Sequence, residues 1–252
     1  REGEHLIREE DWLTAIDQAG DELATVMVGG VNYYTGQWHN LEAITQAAHA
    51  VGATCGFDLA HAMGNVPLQL HDWNVDFACW CSYKYVNSGP GAVSGVFVHE
   101  RHVRDQEGQG TLMPRLEGWW GHDAASRFNM DPEFIPMPTA EAWQLSNAPV
   151  LNMAVHKVAL DLFEEAGMDA LRERSLRLTA YLEHVVQCVA QRTGTHLEIL
   201  TPSEPARRGC QLSIVAHGHG RTLFDHLVAH GVVVDWREPA VIRMAPVPLY
   251  NS

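Results

Sequence analysis

Through its first hundred residues the chain alternates apolar runs of strand length with segments of helical period, and few architectures accommodate that rhythm. The runs are Leu23 to Val28, Thr54 to Phe57, Val75 to Cys81 and Ala92 to Val98. Between them lie helical patterns. Arg8 to Ala19 spaces Trp12, Leu13 and Ile16 on one side, and Leu41 to Val51 aligns Ile44, Ala47 and Ala48. Short, continuously apolar strands separated by helices predict an α/β fold with a mostly parallel sheet and helices on both faces. In such sheets ligands gather at the carboxyl ends of the strands.

The pattern changes near residue 150. A long helix is expected from about Pro149, with Leu151, Ala154, Val155, Val158 and Leu162 forming a stripe, and Gly167 breaking it. A second helix is expected from Asp169 to Gln191. Strand patterns follow at Leu197 to Leu200, Cys210 to Val215, Val232 to Val234 and Val241 to Met244, with a helix near Thr222 to His230. The chain therefore divides into 1–150, part of a larger α/β domain, and 151–252, a linking helix with a small α+β domain. No internal repeat or low-complexity tract is present.

Two strand ends carry chemistry. Asp58 closes one apolar run and is followed three residues later by His61. Lys84 lies just past another, between Tyr83 and Tyr85, and precedes the turn Asn87-Ser88-Gly89-Pro90-Gly91. Most lysines are solvated surface charges. Lys84 is one of only two in the chain, the other being Lys157, and it follows a hydrophobic run. A lysine that holds an aldehyde as a Schiff base, paired with a carboxylate that keeps a pyridine nitrogen protonated, is what pyridoxal-phosphate chemistry needs. Burial and neighbouring positive charge are expected to lower the lysine pKa. Gly89 and Gly91 read as turn residues that lead into the strand at Ala92.

Composition narrows the function classes. The 252 residues carry a formal net charge of −14 and no basic stripe, which argues against nucleic-acid binding. Cys55, Cys79, Cys81, Cys188 and Cys210 are five in number and scattered. The Cys79/Cys81 spacing fits buried small side chains better than a metal clip, and the set fits a reduced, cytoplasmic compartment. The histidines form no clear ligand cluster, so no metal is expected. No membrane-span or signal-peptide pattern is visible. The chain opens Arg1-Glu2-Gly3-Glu4 and stops after a strand at Tyr250-Asn251-Ser252, which reads as a fragment of a longer protein.

A family resemblance rests on several ordered segments. They are Gly56-Phe57-Asp58-Leu59-Ala60-His61-Ala62-Met63-Gly64-Asn65, Leu70-His71-Asp72-Trp73, Asp76-Phe77-Ala78-Cys79-Trp80-Cys81-Ser82-Tyr83-Lys84-Tyr85, Gly118-Trp119-Trp120-Gly121-His122, Leu145-Ser146-Asn147-Ala148-Pro149 and Arg243-Met244-Ala245-Pro246-Val247-Pro248-Leu249-Tyr250-Asn251-Ser252. Together they resemble the kynureninase family along essentially the whole chain. The resemblance implies the pyridoxal-phosphate-dependent transferase fold of the aspartate-aminotransferase type (fold type I). It implies hydrolysis of L-kynurenine, or 3-hydroxykynurenine, to anthranilate, or 3-hydroxyanthranilate, and L-alanine, in tryptophan catabolism and NAD biosynthesis. A cytoplasmic homodimer is implied too.

Carried over by position, Lys84 is the Schiff-base lysine, Asp58 pairs with the pyridine nitrogen and His61 lies beside the cofactor. Tyr83 bonds the cofactor phosphate and can donate a proton, Trp119 and Asn147 complete the cofactor contacts, Arg243 holds the substrate carboxylate and His122 lies near the substrate. Other readings stand beside these: Arg243 as a surface ion pair, Trp119 as a core or interface aromatic, Asn147 as a cap on the helix from Pro149, and His122 as a satisfied histidine. Tyr33-Tyr34-Thr35-Gly36 resembles the family's loop near the cofactor. Gly29 stands where the family places serine, and the family's phosphate cup falls upstream of Arg1. The rival readings are another lyase of the same fold, such as a cysteine desulfurase-like enzyme, and an inactive truncated relative.

Overall fold

The structure is a computed structural model that describes residues 3–103 and 114–252. Its first sheet joins β1 (Thr25–Gly29), β2 (Thr54–Asp58), β3 (Phe77–Cys81) and β4 (Ser94–Val98) in that spatial order. The first three strands are parallel and β4 runs antiparallel at the edge. Each crossover needs a covering element. Helices α1 (Glu9–Ala19) and α2 (Leu41–Ala50) lay Ile16, Leu41, Ile44 and Ala48 onto Val26, Cys55, Phe57 and Ala78. Asn40 joins the two helices. Its side-chain oxygen caps α2 through the Ala43 N–H at 3.1 Å, while its amide donates to Glu9 at 3.0 Å.

Of the two helical layers expected, α1 and α2 supply the one seen among the described residues. On the opposite face Gly29, Asp58, Cys79 and Val96 share one register row. Val96 is 54% exposed and Met27 48%. Cys79 is exposed and Cys81 half-buried, so the expectation that both are buried small side chains is corrected. The period-2 spacing does place both on one face, but that face is the open one.

The second half begins with two long helices, α3 (Val150–Ala166) and α4 (Met168–Thr193), separated at Gly167 as expected. Pro149 occupies the N-cap position of α3 and no side chain bonds the helix end there, so Asn147 is not its cap. The second sheet is antiparallel, in the order β5 (Leu197–Ile199), β6 (Leu212–Ala216), β8 (Val241–Met244), β7 (Asp235–Arg237). Helix α5 (Gly220–Ala229) packs Leu223 and Phe224 against it, and Leu212, Ile214 and Ile242 form its buried centre with Val186 of α4. The strand expected at Val232 to Val234 lies three residues later. Val232 N–H bonds back to Leu227 to close α5, and Val233 is 97% exposed. Ladder pairing begins only at Asp235, opposite Arg243. Apolar content alone misplaced that strand.

Polar side chains join the two halves. Asn65 accepts the Cys210 N–H at 2.9 Å, Ser213 Oγ donates to the Tyr34 carbonyl at 2.6 Å, and Gln211 Nε2 donates to the Tyr33 carbonyl at 3.1 Å. Nearby, the turn after β2 meets the segment after β3 with almost no clearance. Gly64 has φ +76°, and a Cβ there would lie 2.8 Å from the Tyr85 carbonyl oxygen, a backbone atom with little room to retreat. Gly64→Ala is expected to cost about 1–3 kcal/mol of stability, from backbone strain and overpacking together, and a denaturant titration measures it.

At the opposite end of β3 a single buried carboxylate gathers four donors. Asp76 accepts the Cys55 N–H at 2.7 Å, faces His49 Nε2 at 2.7 Å and His102 Nε2 at 2.6 Å, and pairs with Arg101. Burial works against the charged form, but these hydrogen bonds outweigh it and hold the Asp76 pKa well below the usual carboxylate range. A depressed folded-state value contributes stability that is complete above the unfolded pKa of about 4 and drains away as pH falls below it. Asp76→Ala is therefore expected to destabilise the fold by about 3–5 kcal/mol at neutral pH, with a smaller penalty in acid. Chemical denaturation at two pH values checks both the size and the trend; a penalty that grew in acid would refute the account.

Candidate active site

Asp58 ends β2, and Lys84 follows the end of the adjacent strand β3, so both lie at the carboxyl edge of parallel strands. Lys84 is half-buried. Its Nζ lies 3.1 Å from Cys81 Sγ and 3.3 Å from Tyr83 Oη, 4.7 Å from the centroid of the Tyr83 ring. Burial opposes its ammonium form, but the hydrogen bonds to Cys81 and Tyr83 outweigh burial and raise its pKa above the ordinary lysine value. The lowering expected from the sequence is thus reversed in this geometry, because two acceptors sit on the amine.

Asp58 Oδ1 accepts the Ala60 N–H at 2.8 Å, and the carboxylate is otherwise open to solvent. His61 sits one turn on, its ring 6.4 Å from that of Tyr33 and 5.9 Å from that of Tyr85. Burial pushes its pKa down to about 4, and the charges of Lys84 and Arg243 push the same way while Asp58 opposes. His61 is neutral near pH 7, and its Nδ1 is buried without a partner. A cavity of about 390 Å³ opens here, lined by Met27, Gly29, Tyr33, Asp58 and His61 among others. A Cβ on Gly29 would meet nothing nearer than 3.8 Å, so the serine of the family pattern would fit at this position.

Arg243, on β8, reaches the same region from the second sheet. It is only 11% exposed in its side chain. Its Nη1 donates to the Tyr33 carbonyl at 2.6 Å and its Nε to Asp235 Oδ2 at 2.6 Å. The structure thus gathers Asp58, His61, Tyr83, Lys84 and Arg243. Among the described residues no hydrogen bond or ring contact joins Trp119, His122 or Asn147 to that group. Trp119 packs edge-on against Trp120 and Phe128. His122 is buried in its own loop, where Nδ1 accepts the Ile135 N–H at 3.4 Å and Nε2 faces Ser126 Oγ at 3.2 Å. Asn147 is exposed. Sequence reasoning missed Cys81 as a partner of Lys84 and Asp235 as a partner of Arg243. The strand period signals the first, and no local pattern signals the second.

Residues 4–130 match the model of the class-V aminotransferases. The chain belongs to the class-V aminotransferase family. Residues 171–252 match the kynureninase C-terminal domain. The chain is 54% identical over 252 residues to a kynureninase of Flavobacterium psychrophilum, covering all of this chain and 58% of the relative. It is 57% identical over 246 residues to a kynureninase of Stenotrophomonas maltophilia, covering 95% of this chain and 56% of that one. The resemblance to kynureninases read from the sequence holds, and the chain spans under three fifths of the length of these curated relatives. Solved class-V-like structures share the fold. A cysteine desulfurase from Thermococcus onnurineus superposes with a TM-score of 0.73 at 15% identity, over all of this chain and 61% of its own. A C-DES mutant with glycine covalently linked to its PLP cofactor gives 0.76 at 16% identity, over 96% of this chain and 60% of its own. At such identities the likeness concerns the fold alone. Among the described residues no helix is long and apolar enough to cross a membrane.

Proposed function

We propose that this chain carries the lysine side of a pyridoxal-phosphate site, in a protein that hydrolyses the Cβ–Cγ bond of L-kynurenine, or its 3-hydroxy derivative, to the anthranilate and L-alanine. The observation that carries the reading is the placement of Asp58 and Lys84 at the ends of neighbouring strands, with Arg243 arriving from the other sheet. The ordered identity with kynureninases supports the choice of substrate over a desulfurase-type reaction.

The residues present fit the cofactor. Asp58 keeps an open carboxylate, and it shares a cavity with His61, whose buried Nδ1 has no partner. Pyridoxal phosphate, when bound, supplies an aldehyde that condenses with amines and a ring that accepts electrons from the substrate Cα. Lys84 would hold the aldehyde, and its free amine would take the substrate Cα proton and return protons to the reacting carbons. Asp58 would keep the ring nitrogen protonated. Tyr83, 3.3 Å from the amine, would bond the phosphate and could relay a proton. Arg243 grips the substrate α-carboxylate with a planar fork. The two acceptors favour the ammonium form of the free Lys84 side chain, which must lose a proton before it can condense with the aldehyde.

Trp119 and Asn147 serve the cofactor and His122 the substrate in this reading. The protein is read as a cytoplasmic homodimer in which these three residues complete the site of the other copy, and the five free cysteines accord with that compartment. Residues 1–150 are read as part of the cofactor-binding domain and 151–252 as the linking helices and small domain. The test is anthranilate fluorescence after L-kynurenine and pyridoxal phosphate are added to the full-length protein. Anthranilate release establishes the reaction. A Schiff-base absorption band with no anthranilate would show the cofactor site to be right and the substrate wrong.

A further inference from the structure

We propose that Asp235 is a positioning residue for Arg243: it locks the guanidinium into the orientation that receives a substrate carboxylate, and so sets substrate affinity without touching the substrate. The inference rests on the reading of Arg243 given above and adds a residue that this reading does not contain.

Asp235 and Arg243 are direct register partners on β7 and β8, so their side chains rise from the same face of the sheet. Asp235 Oδ2 lies 2.6 Å from both Nε and Nη2 of Arg243, along one edge of the guanidinium. The Tyr33 carbonyl takes an Nη1 hydrogen at 2.6 Å from the other side. That carbonyl is itself fixed by Gln211 Nε2 at 3.1 Å. Clamped at both ends, the arginine has surrendered its rotamer freedom before any ligand arrives, while N–H groups on its terminal nitrogens remain for a carboxylate.

The charge balance leaves room for an anion. The same Oδ2 also receives Arg237 Nε at 3.1 Å, so one carboxylate faces two guanidinium groups. The trio keeps one net positive charge, beside a histidine that is neutral at pH 7. In a chain of net charge −14, that local cation is what an anionic substrate needs. An ordinary half-exposed ion pair at a sheet edge would contribute little to stability. Asp235 is 44% exposed on the edge strand β7, so its replacement leaves the fold standing.

The experiment compares wild type, Asp235→Asn, Arg243→Lys and the double variant in the full-length protein. Asp235→Asn is expected to raise KM for L-kynurenine by about tenfold and leave kcat within about twofold, because only ground-state positioning is lost. The double variant is expected to be no worse than Arg243→Lys, since Asp235 acts only through that arginine. A second readout needs no turnover. Phenylglyoxal labelling of Arg243, followed by peptide mass mapping, should be several-fold faster in Asp235→Asn. An unchanged KM, or penalties that add in the double variant, would overturn the proposal. If wild type fails to turn over L-kynurenine, the substrate assignment falls, and the labelling rate alone decides the positioning role: faster labelling upholds it and an unchanged rate removes it.

Discussion

Lys84→Ala is expected to cut anthranilate formation from L-kynurenine by about 10⁴-fold, the largest effect of any single substitution in this chain. One amine is asked to do two things, to hold the cofactor covalently and to move protons, so alanine removes both. The change should also abolish the Schiff-base absorption band, and borohydride reduction should no longer fix the cofactor to the peptide spanning Cys81 to Tyr85. The other lysine of this chain, Lys157, is exposed on α3 and engaged by Asp161 at 2.7 Å. Near-normal turnover in the variant would remove Lys84 from the mechanism. Cys81 and Tyr83 lose a donor in the variant, but they lie at a half-open strand end, so melting temperature is expected to change little.

Asp58→Ala is expected to lower turnover by about 10³-fold while the cofactor still attaches to Lys84. In the proposed reading the carboxylate acts at the ring nitrogen, remote from the aldehyde, so attachment and catalysis should separate. Absorbance reports the first and anthranilate fluorescence the second. The substitution also frees the Ala60 N–H at a half-buried turn, a loss expected to cost about 1 kcal/mol and to leave the fold in place. Turnover at the wild-type rate would end the assignment of Asp58 as the group that keeps the ring an electron acceptor.

The architecture of the first half was legible because its signals are local. Apolar runs at 54–57 and 75–81 end where parallel strands end, and Asp58 and Lys84 stand just there. Gly89 and Gly91, both at positive φ, form the expected turn into β4. What the sequence concealed is side-chain geometry that apolar periodicity does not carry. The openness of the sheet face at Cys79, the turn of Cys81 and Tyr83 onto the Lys84 amine, and the containment of His122 by Ser126 and Ile135 are of this kind. The misplaced strand at 232–234 makes the same point: three valines look like a strand, but the ladder is decided by where Arg243 and Ile242 find partners. Asp235, between an apolar run and Trp236, gives no local sign of the arginine it meets.

The Tyr33 carbonyl, bonded by a residue 178 positions later and by another 210 positions later, has a consequence for how the protein is made. Asp58, His61 and Lys84 can settle among local strands soon after synthesis. The loop that carries Tyr33 must wait for Gln211 and Arg243, which are synthesised 178 and 210 residues after it. Contacts of such long sequence separation form late and slowly, because the chain between them must first be ordered. A nascent chain therefore sets Asp58 and Lys84 in place before Arg243 can reach the Tyr33 carbonyl, and that arginine contact marks the joining of the two sheets.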